Sequence, residues 1–197
     1  MRVRQKLTTP AAPSAQPPLL FQEGRCVVLL LMIFMLTKST LMATTVVRME
    51  LPQLVQKADS IIQGHVDEVY VRWDAERNLA FTYTSVSVGD PMKGERRRSV
   101  LIKQIGGKVG ALNVTVAGMP KFTKGEEVIV FLKNQQDGTF QVLGMNQGKY
   151  DVADDFAVSN VSGVDVFNPK TGRIETPVFV ERLPVESLKA KIRELLR

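Results

Sequence analysis

Histidine and cysteine, residues often used for catalysis and for binding transition metals, each occur once in this chain, as His65 and Cys26. They are too few for a multi-histidine site or a thiolate zinc site. A Ser-His-Asp triad would have to use His65, which lies inside a predicted strand, where we expect it at the surface or hydrogen-bonded just beneath it. We therefore predict a protein that is not an enzyme and that needs neither a metal nor a cofactor.

The two pairs of adjacent acids do not indicate a reaction either. Glu126 and Glu127 begin a predicted strand, so their side chains point to opposite faces and cannot share a proton. Asp154 and Asp155 could bind calcium only weakly, because no calcium-loop pattern surrounds them. We interpret Asp154 and Asp155 as solvated charge in a loop.

The glycine-rich stretch IGGKVGA, residues 105–111, has some features of a phosphate-binding loop. A P-loop needs a Ser or Thr after its lysine and then a helix, whose N-terminus and backbone amides hold the phosphates. Here Lys108 is followed by Val109 and Gly110, and the next segment, LNVTV, has the pattern of a strand. We therefore interpret these glycines as the turn of a hairpin, where they permit positive φ.

The one basic cluster of the sequence is the turn KGERRRS, with Arg96, Arg97 and Arg98. It could hold a phosphate or an anionic polymer, or it could be a solvated turn. Stacking aromatics would be expected near a polyanion site. Tyr70, Trp73 and Tyr83 are candidates, although core or cross-strand packing explains them equally well.

The loop AGMPKF places three apolar residues, Met119, Pro120 and Phe122, between Gly118 and Gly125. One interpretation is that the loop tucks these side chains under the fold. The other is that the loop is exposed and contacts a partner. We predict Met119, Pro120 and Phe122 as partner-binding residues.

Period-two alternation predicts several strands, which are SIIQGHVDEVYVRW with a bulge near Gly64, LAFTYTSVSVGD, SVLIKQI and TFQVLG. The uninterrupted apolar run VIVFLK predicts a strand buried on both faces. MELPQLVQKADS predicts a short helix. The whole pattern predicts a mainly β protein, a small OB-like Greek-key barrel with helices at both ends. A β-sandwich is the alternative.

Residues 44–153 are predicted to form the barrel. Residues 154–197 are predicted to form a β-hairpin extension, turning at NPKTG, and an amphipathic C-terminal helix that packs on the barrel. The apolar side of that helix comprises Val185, Leu188, Ile192, Leu195 and Leu196.

Residues 1–43 have the pattern of a secretory signal, with a basic start, an apolar run from Cys26 to Leu36 and a small residue at the end. The apolar run is 11 residues long, well short of the roughly 20 that span a bilayer. We predict cleavage after Ala43 and a secreted or periplasmic protein without a membrane span. A retained anchor and a start further downstream are the alternatives.

The basic charge of the chain belongs largely to this segment. It holds five of the 26 Lys and Arg and one of the 20 Asp and Glu, which leaves 21 against 19, a net charge of +2, for the rest. We therefore expect no nucleic-acid partner. Since Cys26 also lies in the segment, the remaining 154 residues form no disulfide and must be stabilised by burial, for which a single domain of that size is large enough.

Four segments, ADSIIQGHVDEVYVRW, SVSVGDPMKGE, GMPKFTKGEEVIVFLK and MNQGKYDV, resemble an uncharacterised family of exported bacterial proteins with an AD-x-x-x-G-x-V strand and a GMPxFxxGEExxxFL block. More distantly, the strand order is similar to the netrin-like OB barrel of tissue inhibitors of metalloproteinases. In that family an N-terminal cysteine binds the protease zinc, and this chain has Thr44 at the predicted start and no cysteine after it. The resemblance implies a barrel whose edge and loops contact another protein.

These observations predict an exported, non-enzymatic module that binds an unknown envelope or extracellular protein through Met119, Pro120 and Phe122. The alternative is a carbohydrate- or polyanion-binding OB-type domain that uses the arginine cluster of the KGERRRS turn.

Overall fold

The computed structural model describes residues 45–161, 165–175 and 180–197. The predicted signal segment, residues 1–43, lies outside the described residues. The described chain is mainly β, with the strands β1 (Thr45–Val47), β2 (Ser60–Asp74), β3 (Leu79–Lys93), β4 (Ser99–Ile105), β5 (Gly107–Val109), β6 (Leu112–Val114), β7 (Glu127–Asn134), β8 (Phe140–Val142), β9 (Lys149–Ala153), β10 (Phe156–Asn160), β11 (Asp165–Asn168), β12 (Arg173–Glu175) and β13 (Val180–Pro184). The helical elements are α1 (Leu51–Lys57), α2 (Val185–Leu195) and a 3-10 turn (Met145–Gly148).

Five strands close into a barrel. β2, β3 and β4 form an antiparallel meander, and β7 pairs antiparallel with β2. β8 pairs antiparallel with β7 and, through Phe140 opposite Ile102, parallel with β4. The circular order β2-β3-β4-β8-β7 therefore closes the sheet on itself, as two separate facing sheets would not. The prediction of a small OB-like Greek-key barrel is confirmed.

Strand β7 is buried on both faces, as its apolar run predicts. Val128, Val130 and Leu132 point into the barrel, where they pack with residues of β2, β3, β4 and β8. Ile129 and Phe131 point outward into a second apolar cluster, formed with the two helices. All five side chains have an exposed fraction of 0%. The strand therefore joins the interior of the barrel to an outer layer.

Helices α1 and α2 cover the outer face of β7. Leu54 of α1 and Leu188 and Ile192 of α2 are almost fully buried in the cluster with Phe131. The Lys93 side chain donates hydrogen bonds to two carbonyls of the last turn of α1 and so caps that helix.

The apolar side of α2 is buried only in part. The predicted residues Leu195 and Leu196 follow the buried stretch and remain 44% and 37% exposed. The end of the helix thus extends beyond the core that its first two turns cover.

The rest of the chain extends the sheet and adds a small second one. β9 pairs with β7, β10 with β9, and β13 with β10, all antiparallel. In the second sheet β1 pairs parallel with β11, and β11 forms a hairpin with β12 across the predicted NPKTG turn. β5 and β6 form a separate hairpin, at the glycine-rich stretch where a hairpin is predicted.

Candidate functional site

A pocket of about 370 Å³ lies between the barrel and the segment that connects β6 to β7. We name it the Met119 pocket. Its barrel side is formed by one or two residues from each of the strands β2, β3 and β4, and its other side by residues 113–116 and 119–123. The residues that matter below are Val69, Gln104, Ile105, Met119, Pro120 and Phe122.

The structure brings the three predicted partner-binding residues together at this pocket. Pro120 is buried, and Met119 and Phe122 are half-buried. The Phe122 ring packs against the apolar residues inside the barrel. The loop therefore tucks part of its apolar surface away and presents the remainder to the pocket. That these residues bind a partner stays a prediction.

Lys149 holds the loop in place. Its side chain is only 8% exposed, and its Nζ lies 2.9 Å from Glu126 Oε1 and 2.6 Å from Asp151 Oδ1. The same ammonium donates to the carbonyl oxygen of Lys121 and lies 4.7 Å from the centroid of the Phe122 ring. A buried ammonium needs such partners, and here all of them belong to the loop except Asp151, which lies in the same strand, β9. The walls of the pocket are thus fixed before any ligand arrives.

Backbone hydrogen bonds add to this anchoring. The amide of Asn146 donates to the carbonyl of Gly118, and the amide of Gly125 donates to the carbonyl of Val66. The loop is therefore tied to the 3-10 turn at Gly118 and to β2 at Gly125. A loop held in this way loses little conformational entropy when it binds.

Apolar side chains continue outside the pocket. Ile105, which lines it, is 40% exposed, and Leu112 of the adjoining hairpin is 56% exposed. Exposed apolar surface beside a cavity is typical of sites that contact another protein.

The arginine cluster lies on the turn between β3 and β4, and all three side chains are exposed. Arg97 forms an ion pair with Glu95 at 2.7 Å and lies 5.6 Å from the Phe140 ring centroid. The aromatics predicted beside the cluster lie elsewhere. Tyr83 pairs with Lys103 near the middle of the barrel wall, and Trp73 lies near the far end of β2. The structure does not bring the arginines and these aromatics together.

Tyr70 and Tyr83 instead stack on each other on the outside of the barrel, with ring centroids 5.3 Å apart. Arg72 lies 4.9 Å from the Tyr70 ring centroid, and Arg72 and Lys103 each lie 5.9 Å from the Tyr83 ring centroid. The cations therefore cover ring faces that a sugar or a base would need for stacking.

Lys103 forms an ion pair with Asp137 of the loop between β7 and β8. Its Nζ lies 2.8 Å from Asp137 Oδ2. This hydrogen-bonded pair raises the pKa of Lys103 and holds the pKa of Asp137 well below its usual range. The arrangement stabilises the hairpin loop between β7 and β8, and we assign it a structural role.

Sequence reasoning missed two residues of the site, Gln104 and Lys149. The alternation in SVLIKQI places Gln104 on the same face as Val100 and Ile102, a signal that it points inward. For Lys149 the sequence has no comparable signal, because one of its carboxylate partners, Glu126, comes from a distant segment.

His65 lies at the surface, as predicted, with Nε2 3.8 Å from Glu127 Oε2 and a side chain that is 61% exposed. Among the described residues, no group of three or more His, Cys, Asp or Glu side chains is placed to hold a metal ion. In that same part of the chain, no helix is long and apolar enough to cross a membrane.

No protein-family model and no curated protein matches the sequence. The resemblances drawn from its motifs therefore stay predictions.

Proposed function

We propose that this protein is an exported, non-enzymatic module that binds another protein through the Met119 pocket. One observation carries the proposal: a pre-formed, largely apolar pocket is walled by the residues predicted to bind a partner, Met119, Pro120 and Phe122. Its volume of about 370 Å³ falls in the range of roughly 300–1,000 Å³ usual for ligand sites. Export rests on the sequence pattern of residues 1–43.

The surroundings of the pocket favour a protein as its ligand. A small molecule would be held inside the cavity, whereas the apolar surface here continues outward over Ile105 and Leu112. A protein can fill the pocket with one apolar side chain and cover the exposed side chains around it. We therefore expect the partner to insert an apolar side chain between Met119 and Phe122.

The arginine cluster gives less support to a polyanion ligand. Arg97 is already paired with Glu95, and the ring beside it, Phe140, is only 4% exposed and so offers no open face for stacking. We therefore place the main site at the Met119 pocket.

The test is an affinity capture with three forms of the full chain. The native protein, Leu112→Glu and Ile174→Glu are immobilised and exposed to envelope and secreted fractions of the producing organism. Both substitutions replace a well-exposed apolar residue, of 56% and 62% exposure, so neither should alter folding. Leu112 does not line the pocket but belongs to β6, whose next two residues do, whereas Ile174 belongs to β12 and is the matched control.

We expect one stoichiometric protein on the native chain and on Ile174→Glu, and at least tenfold less of it on Leu112→Glu. A charge in an apolar contact is costly, which is the reason for the loss. Equal capture by Leu112→Glu and the native chain would show that the partner does not cover the apolar surface beside the pocket, and would contradict the proposed site.

A further inference from the structure

Gln104 is a polar residue at an apolar position. It lies on β4 after Val100 and Ile102, both of which point into the barrel, and it is only 5% exposed. It lines the Met119 pocket where the barrel interior meets the loop. The polar atoms of a glutamine so deeply buried normally have hydrogen-bond partners, either protein groups or ordered water.

The carboxamide of Gln104 is not satisfied by the protein. Its Nε2 donates to the sulfur of Met119 at 3.7 Å, and a thioether is a weak acceptor. Within the described residues, Oε1 of Gln104 receives no hydrogen bond. Thr84, on the neighbouring strand, is also fully buried and its Oγ1 has no partner there. The Gln104 carboxamide thus has unused hydrogen-bonding capacity beside an apolar pocket, whereas Thr84 does not line that pocket.

The backbone of one extended residue matches this arrangement. Its N–H and C=O point to the same side of the chain, so the N–H can donate to Oε1 and the C=O can accept from Nε2, while its side chain enters the apolar part of the pocket. A purely apolar ligand would leave the carboxamide unpaired, which weakens binding.

We propose that Gln104 is the specificity-determining residue of the Met119 pocket, which takes an extended peptide segment with an apolar side chain. The side chain lies between Met119 and Phe122, and the backbone N–H and C=O of the same residue pair with the Gln104 carboxamide. This inference rests on the proposed function, because it assigns the same pocket a particular class of protein ligand.

The experiment uses a random dodecapeptide library displayed on phage and selected against the full chain. The enriched sequence is synthesised with a fluorescent label, and its affinity is measured by fluorescence anisotropy. A second peptide carries an N-methyl group on the peptide nitrogen of its anchoring apolar residue, and so lacks that N–H. Both peptides are titrated against the native protein, Gln104→Met and Leu112→Glu. Methionine has nearly the shape of glutamine and no amide, and thermal unfolding shows whether the variant is folded.

We expect the native protein to bind the N-methylated peptide about tenfold more weakly than the unmodified one, as for a lost hydrogen bond that leaves a buried partner. Gln104→Met should bind the unmodified peptide about tenfold more weakly than the native protein does. It should bind the two peptides with equal affinity, because it lacks the carboxamide oxygen that accepts the hydrogen bond from the peptide N–H.

Two outcomes would overturn parts of this account, and they are distinct. If Gln104→Met binds the peptide like the native protein while Leu112→Glu binds it weakly, the pocket is the site but Gln104 does not determine its specificity. That result is expected if an ordered water, and not the peptide, is hydrogen-bonded to the Gln104 carboxamide. If no peptide is enriched, or if Leu112→Glu binds as well as the native protein, both this inference and the proposed function fail.

Discussion

The absence of a side chain at Gly64 allows strands β2 and β3 to approach each other closely. It lies at a shift of register between β2 and β3, where the sequence predicts a bulge. A Cβ atom at this position would lie 2.1 Å from the carbonyl oxygen of Ser87. The two strands can approach this closely only because residue 64 is glycine.

We therefore expect Gly64→Ala to lower the free energy of unfolding by about 3 kcal/mol, since the backbone of β3 must move. The control is Gly89→Ala in β3. A Cβ there would meet nothing closer than an oxygen of Gln63 at 3.7 Å, an ordinary contact. Urea unfolding measures both. Similar values for the two variants would contradict the close approach at Gly64.

Asp59 makes stability depend on pH. Its Oδ1 lies 2.7 Å from the Lys133 ammonium, and its Oδ2 accepts from the amide of Asn134 at 2.9 Å. The hydrogen bond from Lys133 and then that from Asn134 hold the pKa of the Asp59 carboxyl below its usual value. Because the folded pKa lies below the unfolded one, near 3.9, the stabilisation is present above about pH 4 and is lost as the pH falls through the folded value.

Asp59→Asn should lower the melting temperature at pH 7 by a few degrees, as about 1 kcal/mol does in a domain of this size. The loss of stability is small because the Asp59 side chain is 35% exposed, and solvent screens its interaction with Lys133. The difference between the two proteins should shrink steadily as the pH is lowered from 5 towards 2. Thermal unfolding followed by circular dichroism measures it, and a difference that is constant with pH would refute the assignment.

At the scale of elements, the loop between β6 and β7 depends on one buried lysine. Without the Lys149 ammonium, Glu126, only 23% exposed, would lose its counter-charge, and Lys121 and Phe122 would lose their contacts with Lys149. We expect Lys149→Met to lower the free energy of unfolding by about 2 kcal/mol, less than for a fully buried pair because Asp151 is half-exposed.

Hydrogen exchange distinguishes this anchoring from a general loss of stability. In Lys149→Met, amides of residues 115–126 should exchange faster than in the native protein, whereas those of β2 and β3 should change only in proportion to global stability. Lys124→Met removes an exposed charge from the same loop and is the control. Unchanged exchange in the loop of Lys149→Met would show that Lys149 does not hold it.

Elements with a strong local pattern were predictable from the sequence, and elements fixed by distant partners were not. The run VIVFLK predicts a strand buried on both faces, and β7 is one, because five consecutive apolar residues leave no polar face for solvent. The buried part of α2 follows from its helical spacing. Nothing local to GKYDV indicates that Lys149 is buried, since a lysine in a short strand is usually exposed. Asp151 lies in the same strand, but the other partners, Glu126 and the carbonyl of Lys121, come from the distant loop between β6 and β7.

For the whole molecule, the sequence predicts the OB-like barrel but not which face of it binds. The strand pattern limits the fold to a barrel or a sandwich. The barrel is formed because β8 pairs with both β4 and β7, and the local sequence pattern does not determine these pairings. The loop AGMPKF allows two interpretations because both burial and contact use apolar side chains. The structure combines them, with Pro120 buried and Met119 at the pocket.

Site-specific photo-crosslinking in the producing organism shows whether the Met119 pocket binds a protein. A photo-reactive amino acid replaces Lys121, an exposed residue that lines the pocket, in the full chain. In a control chain it replaces Lys191, an exposed lysine of α2. We predict one cross-linked protein from position 121, absent from position 191, and lost when Leu112→Glu is added. Cross-links from position 191 with none from position 121, or the same products from both, would contradict the account.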